Sequence, residues 1–197
     1  MNGIATTTSS HRATASLLER EENDMRKLNT SLLAGLAITS LIYAAAVGAD
    51  DERHRVKANL SGFQETPSTL STPGSGRFTA KIDDDAQTID YKLSYEGLEA
   101  PAIAAHIHLG ARATSGGVSA FLCSGGNKPP CPPGGGSVTG TITPADIIGP
   151  AAQGIAPGEF AEVVRAIRNG AVYANVHSTL RPGGEIRGQL RADEEDD

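Results

Sequence analysis

Eight short stretches of this chain alternate apolar and polar residues, and clusters of Gly, Pro and Asp separate them. That period of two constrains the fold more than any other feature, because successive side chains of a strand point to opposite faces. "HRVKANLS" puts Val56, Ala58 and Leu60 on one face, and "GRFTAKI" does the same with Phe78, Ala80 and Ile82. "TIDYKLSYEG" aligns Ile89, Tyr91, Leu93 and Tyr95. "AAHIHLG", "GVSAFLC", "SVTGTI", "AVYANVHS" and "GEIRGQL" complete the set. Short strands joined by turns predict an all-β fold, an antiparallel Greek-key-like β-sandwich or barrel of about eight strands. One helix interrupts them: "GEFAEVVRAIRNG" spaces Phe160, Val163, Val164 and Ile167 on one helical face, and Asn169-Gly170 stops it. Thr143-Pro144 opens a shorter helical turn that Gly149-Pro150 ends.

The N-terminal quarter reads differently. Met25-Arg26-Lys27 precedes an apolar stretch that ends in Val47-Gly48-Ala49, the layout of a secretory leader cut after Ala49. An uncleaved membrane anchor is the alternative, although the stretch is diluted by Ala, Gly, Ser and Thr. The expected organisation is an upstream extension over 1–24, a signal peptide over 25–49, a linker over 50–55, one domain over 56–191 and an acidic tail over 192–197. The chain is then periplasmic or secreted, with no membrane span after cleavage. A formal net charge of −6 provides no basic surface and argues against a nucleic-acid partner. In an oxidising compartment Cys123 and Cys131, the only cysteines, are expected to pair; a two-cysteine metal site is the alternative.

The chemistry concentrates on histidine. His106 and His108 lie two residues apart in a predicted strand and so share a face. His177 falls on the polar side of another strand, opposite Val172, Ala174 and Val176. Together the three suit copper or zinc, with an open coordination position. Pairing Val176 with Ile186 in the last hairpin also pairs Asn175 with Arg187 and His177 with Glu185. Glu185, Asn175 and Arg187 are therefore candidates to orient the imidazoles, and Glu185 to act as a fourth ligand. Ligation needs neutral imidazole, so binding is expected to weaken in mild acid. The competing reading keeps the histidines as hydrogen-bonded polar residues on the wet side of two strands. No Gly-x-Ser-x-Gly elbow is present, and Asp83 to Asp85 read as a turn, so no catalytic residue is assigned.

"LSGFQETP", "AAHIHLGARATSGGVSAFL" and "GAVYANVHSTLRPGGEIRGQL" together resemble the CHRD domain, over about Val56 to Leu190. That domain is named for its repeats in chordin and also occurs singly in exported bacterial proteins. "NVHS" stands where NVHT is more usual, and the Cys123–Cys131 stretch resembles a local loop elaboration. The His-x-His strand is also similar to the copper-ligand strand of copper–zinc superoxide dismutase, but the further metal ligands of that enzyme are not legible here. The resemblance implies little about activity; the leading expectation, motivated by the three histidines, is a non-enzymatic binding module that holds copper or zinc, with an unidentified protein or matrix partner. A metal-dependent redox or hydrolytic enzyme and a metal-free adhesive module are the alternatives.

Overall fold

The computed structural model describes residues 54–192. The expected upstream extension, leader and most of the acidic tail lie outside them. Strands run over Arg55–Ser61 (β1), Ser75–Asp83 (β2), Thr88–Glu96 (β3), Ala102–Leu109 (β4), Val118–Cys123 (β5), Gly136–Ile142 (β6), Val172–Ser178 (β7), Ile186–Gln189 (β8) and Arg191–Ala192 (β9). All eight expected strands form, and β9 adds a short piece that pairs with β1. The helix α1 spans Phe160–Arg168 and buries Phe160, Val163, Val164 and Ile167, as its spacing predicts. The Thr143-Pro144 turn is a single 3-10 turn over Pro144–Asp146. There the Asp146 carboxylate accepts from the Thr143 amide and hydroxyl, each at 2.8 Å.

The sheet order is β5-β4-β7-β8-β1-β2-β3-β6, antiparallel throughout, and it curls into a nearly closed barrel. Side chains bridge the seam between the β5 and β6 edges. Tyr91 donates its hydroxyl to the Leu122 carbonyl at 2.7 Å, and Lys128 Nζ donates to the Thr141 carbonyl at 2.6 Å. A Cys123–Cys131 disulfide closes the loop beside this seam. The apolar positions of the alternating strands fill the interior, with Phe78, Leu93, Ile107, Val176 and Ile186 all at most 1% exposed. Each such side chain contributes about 1.5–3 kcal/mol relative to an exposed one.

One expectation fails in a way that matters for function. The polar sides of β7 and β8 are not wet, and that of β4 is half-buried. Every residue of β7 and β8 is buried, on both faces. Segments 62–72, 110–117 and 179–184 lie against this second face. Arg187 donates to Thr66 Oγ1 at 2.6 Å and to the Ala111 carbonyl at 3.1 Å. Thr66 and Ser115 hydroxyls meet at 3.0 Å, and Gln189 donates to the Gly110 carbonyl at 2.9 Å. These bonds supply what water would otherwise provide, which is what lets polar side chains stay buried.

Candidate metal centre

β4 and β7 are direct neighbours. Their register pairs Ala104 with His177, His106 with Asn175 and His108 with Tyr173, which places the three histidines on one face. The pairing of β4 with β5 shifts register between Ala105 and His106 and again between Ile107 and His108. Such irregularities re-aim side chains. His106 lies with its ring centroid 5.4 Å from that of His108 and 4.9 Å from that of His177. One ring nitrogen of each histidine lies within 4.8 Å of the other two. Nitrogens sharing one ion at 2.0–2.1 Å sit about 3.3–3.6 Å apart, so small side-chain rotations complete the site.

Hydrogen bonds fix which nitrogen carries the lone pair. His108 Nδ1 lies 3.1 Å from the Gly116 carbonyl, and His177 Nδ1 lies 3.0 Å from the Pro182 carbonyl. A carbonyl only accepts, so both Nδ1 atoms hold the proton and both Nε2 atoms present lone pairs. His106 Nδ1 is 3.1 Å from His177 Nε2 and donates to it while no ion is bound. Tautomer exchange in His106 would free that nitrogen for an ion. His108 Nε2 is buried with no hydrogen-bond partner. Burial also keeps the rings neutral. It pushes His106 down to about 3, helped by the other two imidazoles, and His108 down to about 4. It lowers His177 in the same direction.

The surroundings sort the remaining expected residues. Tyr173 stacks on His108 at 4.8 Å with planes 4° apart, and the Arg187 guanidinium sits 3.5 Å from the centre of the same ring. Asn175 lies in register between His106 and Arg187, and its Oδ1 has no partner. Its side chain hydrogen-bonds Glu65, whose carboxyl burial pushes up to about 7. Glu185 behaves otherwise than expected. The hairpin register is as predicted, with Val176 opposite Ile186 and Asn175 opposite Arg187. Yet Glu185 Oε1 accepts from Thr72 Oγ1 at 2.8 Å and from the Glu99 amide at 2.7 Å. The carboxylate is thereby held away from the histidine cluster, which contains no acidic residue. Sequence reasoning gave no role to Tyr173 or Glu65. Tyr173 was legible, since it shares the Asn175 and His177 side of its strand. Glu65 sits outside any strand, and alternation says nothing about it.

Residues 56–190 match the CHRD domain family. The chain belongs to that family. No curated protein and no solved structure shows significant similarity to it. CHRD membership supports a binding or interaction module, and with the Cys123–Cys131 disulfide it fits an exported protein. Among the described residues no helix is long and apolar enough to cross a membrane.

Proposed function

We propose that this CHRD domain is an exported, periplasmic or secreted module that holds one copper or zinc ion with His106, His108 and His177. Two observations carry the reading: one ring nitrogen of each of the three histidines lies within 4.8 Å of the other two, and His108 Nε2 is buried with no partner among the described residues. A buried polar atom without a partner costs about 1–3 kcal/mol, and an ion at this position removes that cost. Main-chain carbonyls orient two of the rings in the manner typical of metal-bound histidine. The test is metal analysis and titration with copper(II) and zinc(II), comparing the wild type with His106→Ala and His177→Ala. One ion per chain is expected for the wild type, with at least a tenfold loss of affinity in each variant. Wild-type stoichiometry near zero, or unchanged binding in both variants, would sink the proposal.

A further inference from the structure

We infer that the three-histidine pocket selects copper in the +1 state over zinc(II). The inference rests on the metal-binding reading above and adds the charge of the ion.

The ligand set is neutral. Among the described residues it contains three imidazoles and no carboxylate or thiolate. The two Nδ1–H groups that anchor His108 and His177 donate to main-chain carbonyls, so no acidic partner lends negative charge through the rings. With the rings neutral, the charged group that acts on His108 is Arg187, which lowers it. The one permanent charge stacked beside the ligands is therefore a cation, the Arg187 guanidinium on Tyr173. Of the nearby carboxyls, neither joins the cluster: Glu185 Oε1 is engaged by Thr72 and the Glu99 amide, and Arg187 and Asn175 act on Glu65 to lower it.

Two of the three rings are buried, and His106 is half-buried. His108 and His177 are 7% and 8% exposed. The edge of Phe121 packs on His106 with centroids 4.7 Å apart. Phe121 is itself pressed against Gly125, where any side chain would collide with the ring. Gly125 belongs to the loop that the Cys123–Cys131 disulfide closes, which fixes this wall in place.

The cost of burying an ion rises with the square of its charge, so a dication costs about four times as much as a monocation in the same pocket. Zinc(II) sites offset that cost with anionic ligands or with a fourth ligand, commonly water. No carboxylate is provided among the described residues of the cluster. Copper(I) carries half the charge and is satisfied by three nitrogens. Ligand softness alone would not separate the two ions, since imidazole suits both; the missing negative charge does.

The experiment compares the full chain loaded anaerobically with copper(I), using bicinchoninate as competitor, with zinc(II) measured against a chromophoric chelator at pH 7. The expected result is one copper(I) per chain, bound at least 100-fold more tightly than zinc(II). Zinc(II) binding as tight as copper(I), and dependent on His106 and His177, overturns the inference and leaves the metal-binding reading standing. Binding of neither ion overturns both. Asn175→Asp places a carboxylate beside His106 and is expected to narrow the preference at least tenfold; in a folded variant, an unchanged ratio refutes the electrostatic cause.

Discussion

Glu65 should make this barrel less stable in alkali, and the size of the effect follows from its surroundings. The residue is 6% exposed, and burial is the main reason its carboxyl is pushed from 4.5 up to about 7. The Thr66 amide, Arg187 and Asn175 pull the other way, and Glu185 adds a smaller push upward. A carboxyl whose folded value lies above its unfolded value binds more protons in the native state. Its contribution is then intact below pH 4.5 and is lost as pH rises through 7. At about 1.4 kcal/mol per pH unit, the loss between pH 5 and pH 8 is about 2.5 kcal/mol. Glu65→Gln keeps the shape and removes the ionisation. Denaturant unfolding of metal-free wild type and variant at several pH values isolates the effect, because other titrating groups cancel in the difference. The wild type should lose about 2.5 kcal/mol relative to the variant across this range. Profiles that run parallel to within about 0.5 kcal/mol would refute a buried carboxyl that titrates near 7.

Three further outcomes are expected. Because His106 is lowered to about 3 and His108 to about 4, protons compete with an ion only in strong acid; metal affinity should change little from pH 7.5 to 5.5 and collapse near pH 4, and a midpoint near 6.5 in a pH titration would show that the rings are exposed. Gly184→Ala should destabilise by about 2 kcal/mol or more in a thermal melt, since the new methyl would sit 2.6–2.9 Å from Asn175 and Glu65 at a φ of +129°. Reducing the disulfide, which joins residues eight apart, should cost about 2.5 kcal/mol by loop closure alone; a melting temperature unchanged by reductant would refute that loop's contribution.

The strands were legible because their signal is local. Val56, Ala58 and Leu60 alternate with polar residues whatever the rest of the chain does, and the same holds for Phe78, Ala80 and Ile82. The last hairpin was legible to the residue, because a turn between two alternating strands leaves one register that keeps Val176 and Ile186 on the same side. The sharing of one face by His106, His108 and His177 follows from the same parity, together with the adjacency of β4 and β7. What alternation cannot report is what covers a face. Thr66 reaches Arg187 across 121 residues, and Thr72 reaches Glu185 across 113. Those contacts decide that the polar side is interior and that Glu185 turns to Thr72 and Glu99. Neither is encoded near the residues it affects.

That covering changes what the histidines can do. On a wet strand an imidazole is half protonated near its ordinary value of about 6.5 and spends its lone pair on water. Here His108 has neither option. Tyr173 occupies its stacking position and Gly116 its Nδ1 proton, and no partner meets its Nε2. His177 is held in the same tautomer by Pro182. A barrel whose β7 and β8 are buried on both sides, one of them polar, is costlier to fold than one with a solvated outer face, unless each group finds a partner. Most do, through Thr66, Ala111, Gly110 and Pro182. One nitrogen of His108 lies within 4.8 Å of a nitrogen on each of His106 and His177, and its Nε2 lone pair is unmet among the described residues. The same burial that makes the apo pocket costly therefore prepares neutral, oriented nitrogens for a cation, and the guanidinium on Tyr173 limits how much charge that cation can carry.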